Sequence, residues 1–232
     1  DPNATAQTRE GDVRVLTAIE QRINEETNRS PRHLLELRLS VAEAYANRGE
    51  SAAAARVYRT AADDAAARLP ADDLQLLRAR VYAADYRLII SSSAARELDP
   101  AIDILRAKGA DGADLLIDAL LIRHQLRQFY GVPEFNAGAR RNDDVEEALA
   151  TALRHFGRGT RQHLKVAQRV GLMRAIFESP AAGLRAMEPA LDDARRRTGM
   201  TRTAEYRDLY TLFSQHLCGT GRASEGMANL WS

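Results

Sequence analysis

Residues 34 to 62 read LLELRLSVAEAYANRGESAAAARVYRTAA, a run in which apolar and small side chains recur at the helical period on either side of one glycine. Val41, Ala42 and Tyr45 fall on one face of a first helix. Ala54, Tyr58 and Ala61 fall on one face of a second, and Asn47-Arg48-Gly49 makes the turn between them. Small residues at 42 and 54 let the two antiparallel helices approach closely, while the rings of Tyr45 and Tyr58 fill the groove beside the crossing. A two-helix hairpin cannot bury its apolar face alone, so the rest of the chain is expected to stack on it.

Toward the N-terminus, residues 1 to 10 are polar and read as an extended lead-in. Asp12 is placed to cap a helix whose apolar positions Val15, Leu16, Ile19 and Ile23 would cover the open side of the hairpin, ending near Thr27 ahead of Ser30-Pro31. Beyond Pro70, Asp72 and Asp73 open a helix carrying Leu74, Leu77, Val81, Tyr82, Leu88 and Ile89, weakened at Ser91-Ser92-Ser93. Asp99-Pro100 is a cap followed by proline at the first helical position, giving a short helix to about 107 that stops at Gly109. The Gly109 to Gly112 loop leads into an apolar helix from Leu115 to Tyr130, and residues 131 to 143 form the longest interruption, a loop on one face. Asp143-Asp144 opens a helix to about Phe156 that packs through Ala148, Ala152 and Leu153. Gly157-Arg158-Gly159 ends it, and Thr160 caps the next helix, which runs to Phe177 through the large-small pair Val170-Gly171. Ser179-Pro180 restarts the chain with Gly183, Met187 and Ala190 at packing positions and Pro189 as a bend. A last unit has Tyr210, Phe213-Ser214 and Leu217, a turn at Gly221, then Gly226 and Leu230. Tyr45, Tyr58, Tyr82, Leu116, Leu153, Val170, Phe213 and Leu217 are expected between helices.

The order of small and aromatic residues in 34–62 resembles the tetratricopeptide repeat, with two departures: Arg38 stands where the repeat has its first large aromatic, and Pro70 comes late. Helix pairs begin near 33, 72, 112, 160 and 202, a looser spacing than the ~34 residues of the strict repeat. The resemblance implies an all-α fold, a tetratricopeptide-like α-solenoid of antiparallel helix pairs curving into a right-handed superhelix. It treats residues 1–232 as a single repeat domain, a piece of a longer chain that opens on Asp1-Pro2.

Composition narrows the function. Alanine supplies 41 of 232 residues against 7 prolines, which favours helix throughout. The 33 basic and 32 acidic residues nearly cancel, which argues against a protein that grips nucleic acid through bulk charge. All the basic residues except Lys108 and Lys165 are arginine, a bias that a GC-rich genome explains. One cysteine, Cys218, excludes an intrachain disulfide; it reads as a small buried residue, two positions from His216 and so on another side of its helix. No run approaches the ~18 apolar residues of a membrane span, so no direct membrane insertion is expected.

The motifs GxxxxGK[ST], GxGxxG, HExxH and GxSxG do not occur, so the chain is read as non-catalytic, with no cofactor and no metal. His155 and His163 flank a glycine-rich turn but lack a third ligand at a defined offset. With His33, His124 and His216 they read as surface or helix-end residues. The acidic pairs Asp143-Asp144 and Asp192-Asp193 read as caps or solvated faces, and Arg195-Arg196-Arg197 as a basic helix end favoured by the macrodipole.

A second resemblance extends over residues 1 to 62. Asp1-Pro2, a polar spacer, VRVLTAIEQRI and then LSVAEAYANRGESAAAARVYRTA are similar to the segment that follows the membrane helix of bacterial transmembrane serine/threonine kinases with a tetratricopeptide-type sensor. That implies a periplasmic sensor domain that binds a protein, peptide or cell-envelope ligand and biases the kinase. A cytoplasmic scaffold or adaptor, or the sensor of a one-component transcription regulator, is the alternative. Carrying the hairpin's register along the chain places Glu36, Glu43, Asn47, Lys165, Gln168, Arg169, Asp208 and Gln215 on the concave, ligand-facing side. The set is mixed in charge, unlike the Lys, Arg and Asn cluster that clamps a peptide's terminal carboxylate in some members of the repeat family. Met227, Leu230 and Trp231, on a helix opening at Ser224 that looks incomplete, are expected to support a homodimer.

Overall fold

An alanine-rich, proline-poor chain favours the helix, and the computed structural model consists of helices and turns with no strand among the described residues. The structure describes residues 2–26, 29–85, 92–129, 143–222, 224, 226 and 228; of 2–10, 92–94, 128–129 and 177 it describes the backbone alone. The helices are α1 (Pro2–Glu25), α2 (Pro31–Asn47), α3 (Ser51–Ala66), α4 (Leu74–Asp85), α5 (Ser92–Glu97), α6 (Asp99–Ala107), α7 (Ala113–Phe129), α8 (Asp143–His155), α9 (Arg161–Phe177), α10 (Pro180–Arg195) and α11 (Ala204–Cys218). Two compact units result: Asp1–Ala107 with Gln125–Pro133, and Lys108–His124 with Glu134–Ser232.

In the first unit the hairpin forms as its residues dictate. Ser30 caps α2 by accepting the His33 N–H, with Pro31 at the first helical position, and Gly49 turns the chain at φ 75°. Ala42 and Ala54 are fully buried where α2 crosses α3, with Tyr45 and Tyr58 filling the groove at 1% and 2% exposure. Asp73 caps α4 by accepting the N–H groups of Gln75 and Leu76 at 2.9 and 3.2 Å.

Residues 2 to 10 are helical and not an extended lead-in. Proline suits a first helical turn, Ala4, Ala6, Gln7, Arg9 and Glu10 all favour helix, and nothing before Gly11 interrupts them. Asp12 consequently lies inside α1, where it pairs with Arg48 at 3.1 Å, and caps nothing. α1 does cover the hairpin, but through Leu16 and Ile23, at 8% and 6% exposure. Val15 and Ile19 point outward at 59% and 45% exposure; on the other side of Leu16, Thr17 and half-buried Glu20 reach Tyr45 and Arg56.

In the second unit Thr160 and Ser179 cap α9 and α10, accepting from His163 N–H and Ala182 N–H. Here the close crossing is made by glycine: a Cβ on Gly183 would lie 2.7 Å from the Gly171 carbonyl oxygen, and one on Gly171 2.2 Å from Met187 Cγ. Leu164, Met187, Leu209 and Leu217 are completely buried around it, Phe213 nearly so, and α10 runs through Pro189 to Arg195. Gly226 packs on α11, where a Cβ would meet Cys218 Sγ at 2.6 Å; Cys218 itself is half-buried.

Leu116 is buried as expected, whereas Tyr82, Leu153 and Val170 are only half-buried. The short helix α5 was not foreseen, since three serines and an early Asp99 cap weaken any propensity argument there. Of the loop expected over 131–143, Asp143 opens α8 and the rest lies outside the described residues, as do Leu88, Ile89, Met227, Leu230 and Trp231 and the apolar end expected to dimerise.

Candidate functional site

The eight expected contact residues divide between the two units. On α2, Glu36 and Asn47 are exposed, Asn47 being the helix's last residue. Glu43 is half-buried and accepts from Arg78 Nη2 at 2.6 Å. The Arg78 guanidinium lies 5.9 Å from the centre of the Tyr82 ring, which in turn stands 5.6 Å from that of Tyr58. Carboxylate, guanidinium and two rings thus run across α2, α4 and α3, holding Glu43 in place while leaving its outer side in water.

On α9, Lys165, Gln168 and Arg169 share a face, one turn apart, and all three are half-buried. Lys165 pairs with Asp118 of α7, whose side chain is 9% exposed, and Gln162 donates to Asp114 at 3.3 Å. The Lys165 charge therefore holds two helices together, which its place on a solvent-facing helix surface did not predict. An acidic row one turn apart, Asp114 and Asp118, in an otherwise apolar stretch was the signal for it. On α11, Asp208 and Gln215 are exposed, and Arg161 of α9 approaches Glu205 of α11 at 3.9 Å. Arg195 extends this polar surface, donating to the Tyr206 hydroxyl at 3.2 Å and lying over Tyr210, which stacks on Tyr206 at 5.8 Å.

Several charged groups are buried instead. Asp144, read as a capping acid, is 3% exposed and takes Arg123 bidentately, Nη2 at 2.6 Å and Nε at 3.2 Å. His124 is fully buried with Nε2 at 3.2 Å from Met173 Sδ, and His163 is buried with Nδ1 accepting the Gly159 N–H at 2.9 Å. Neither is a surface histidine, although His163 does stand in the first turn of α9, while His155 stays exposed. Burial lowers the His163 pKa; Asp193 opposes the shift and Arg158 adds to it. Asp193 is itself lowered, chiefly by the hydrogen bond from Arg196. These contacts tie the turn before α9 to the end of α10, where Gly159 has a positive φ of 67° and a Cβ would strike the Asp193 carbonyl carbon at 2.6 Å. Among the described residues no group of three or more His, Cys, Asp or Glu is placed to hold a metal ion. Nor is any helix there long and apolar enough to cross a membrane.

No protein-family model matches the chain, and no curated protein matches it by sequence. Among solved structures, the crystal structure of BtubC (BKLC) from P. vanneervenii superposes with a TM-score of 0.66, covering 95% of this chain and 87% of that one at 16% identity. At that identity the likeness is one of fold, and it is to a helical-repeat-like protein.

Proposed function

We propose that the chain is a non-catalytic interaction domain, a tetratricopeptide-like stack of antiparallel helix pairs that serves as the periplasmic sensor of a membrane-bound bacterial serine/threonine kinase. It holds a protein, peptide or cell-envelope ligand through the residues expected from the sequence within each unit, on α2 in the first and on α9 and α11 in the second. The observation that carries this reading is the small-residue crossing of its helix pairs, Ala42 with Ala54 and Gly171 with Gly183. Such a crossing fixes the register of each first helix and leaves Glu36, Glu43, Asn47, Gln168, Asp208 and Gln215 at least partly in solvent. The near-zero net charge supports a protein ligand over nucleic acid.

The test replaces Glu43, Asn47, Gln168 and Arg169 together by Ala in the full-length receptor. Helicity should be unchanged and ligand-dependent kinase autophosphorylation lost, since truncating interface anchors costs about 1–2 kcal/mol or more each. Because Glu43 also pairs with Arg78, Arg78→Ala alone serves as the control for stability and should shift it by less than about 1 kcal/mol, so that a signalling loss in the quadruple variant is not one of folding. Wild-type signalling by the quadruple variant would place the functional surface elsewhere. The reading frame ahead of Asp1 should encode an apolar run of about 20 residues; its absence would favour the scaffold or adaptor alternative.

A further inference from the structure

A cleft of about 250 Å³ opens within the first unit where the end of α1, the start of α2 and the end of α3 meet, away from the α2 surface that carries Glu43. Its apolar wall includes Ile23 and Leu34, and its polar side is Asn24, Glu26, Arg38, Asp64 and Arg68, the Glu26 charge being taken up by Arg29. Arg38 occupies the position where the repeat pattern calls for a large aromatic, and its side chain is 12% exposed. A guanidinium so enclosed needs acceptors for its N–H groups. Nη1 donates to Asp64 at 2.5 Å and Nη2 to Asn24 at 3.2 Å, but the buried Nε–H has no acceptor among the described residues. Asp64 is 54% exposed, so it can swing into water, and exposed Arg68 has no ion-pair partner among the described residues.

We infer that this cleft binds a small carboxylate carrying a short apolar body. The carboxylate seats on the Arg38 fork, taking Nε and the adjacent Nη2 bidentately in place of the Asn24 amide oxygen and competing with Asp64, on Nη1, for the one guanidinium charge, with Arg68 adding a second positive charge. The apolar body lies against Ile23 and Leu34. The cleft falls just short of the ~300 Å³ at which sites for drug-sized ligands begin, so it holds a group the size of one amino acid rather than an extended chain. The carboxylate can belong to a free acid or to the C-terminus of a peptide; the chemistry at Arg38 is the same. This site uses none of the residues of the proposed interaction surface, so the two stand or fall separately.

The experiment titrates the protein with N-acetyl-leucine, N-acetyl-leucinamide and the peptide Gly-Gly-Leu with a free C-terminus, followed by saturation-transfer NMR and by the shift in melting midpoint. The acid should bind and the amide should not. Asp64→Asn removes the carboxylate that competes for Arg38 and should tighten acid binding several-fold, an effect that a purely structural Arg38–Asp64 pair would not give. Arg38→Gln should weaken binding at least tenfold; if that variant fails to fold, Arg68→Gln, at an exposed position, should weaken it several-fold instead. Binding of N-acetyl-leucine alone assigns the cleft to free acids, and binding of both acids extends it to peptide ends. No saturation transfer from N-acetyl-leucine at 10 mM, on the order of the weakest useful affinity, equal binding of acid and amide, or weaker binding to Asp64→Asn would each overturn the inference.

Discussion

Two helix pairs, α2–α3 and α9–α10, solve one packing problem with different residues. In the first, alanines meet at the crossing and two tyrosines fill the space beside it, with the ion pairs Arg78–Glu43 and Arg48–Asp12 left near the surface. In the second, glycines bring the backbones closer and Met187 packs over Gly171, while the helices beside the pair carry buried charged and polar groups, Asp118, Arg123 and His124 on α7 and Asp144 on α8, with His163 on α9 itself. A crossing with alanine leaves a groove that aromatic rings can fill. One with glycine leaves none, and its neighbours are held by buried polar contacts whose removal is expensive.

The largest expected effect tests that difference directly. Asp144→Ala leaves Arg123 buried without the carboxylate that takes two of its N–H groups, and should cost about 3–5 kcal/mol by chemical denaturation. Glu43→Ala breaks the Arg78 pair, whose side chains are 42% and 41% exposed, and should cost less than about 1 kcal/mol. Equal losses would erase the distinction between the two regions.

Next come the crossings themselves. Ala54→Leu should force α2 and α3 apart at a cost of roughly 1–3 kcal/mol. Gly183→Ala should lose a similar amount, since its Cβ would meet the Gly171 carbonyl oxygen, which cannot turn away. Gly171→Ala meets only the Met187 side chain, which can change rotamer, so it should be milder and recover part of its cost through alanine's better helix propensity. A Gly171 variant less stable than the Gly183 variant would mean that Met187, not backbone approach, sets this crossing.

A smaller effect separates the pairs by pH. Burial holds His163 below its ordinary 6.5, so the folded chain carries fewer protons at this ring than the unfolded chain does. Its contribution to stability is therefore complete above about pH 6.5 and is lost as the pH falls through the lowered folded value. His216, also lowered by burial, acts in the same direction. Asp193, lowered chiefly by Arg196, adds a further loss only as the pH falls below 3.8 through its own folded value. Melting midpoints between pH 8 and 5 should fall for the native chain and fall less for His163→Gln; parallel curves would remove His163 from the account.

What the sequence could declare was what its near neighbours decide. Helix starts at Asp73 and Thr160, the breaks at Ser30-Pro31 and Ser179-Pro180, the turn at Gly49, and the small residues at 42, 54, 171 and 183 each depend on residues within a turn or on a simple volume limit. Asp144 looked like a helix-start acid because nothing local to it announces Arg123, 21 positions earlier. Lys165 and Arg38 were obscured in the same way, their partners Asp118 and Asp64 being brought by tertiary packing. Of the candidate surface, the helices that carry it were legible, but which charges stay available there was not, because that depends on the neighbouring helix.

The smallest predicted effect concerns the stripe that periodicity alone misplaced on α1. Val15, Leu16, Ile19 and Ile23 all satisfy a helical repeat and fall within an arc of about 100°, the width of an ordinary buried stripe, yet only its Leu16–Ile23 edge faces the hairpin. That edge is selected by the polar residues on the other side of Leu16: Thr17 shares a hydrogen bond with Tyr45 Oη at 3.1 Å, and Glu20 accepts from Arg56 Nη2 at 2.8 Å. Those contacts turn Leu16 and Ile23 inward and Val15 and Ile19 outward. Val15→Gln with Ile19→Gln should accordingly change stability by no more than about 0.5 kcal/mol. Ile23→Ala, at 6% exposure, should cost about 2–5 kcal/mol and serves as the reference. If the glutamine pair destabilised the chain as much as Ile23→Ala, the inner face of α1 would be the one periodicity chose, and the Tyr45 and Arg56 contacts would not be what orients this helix.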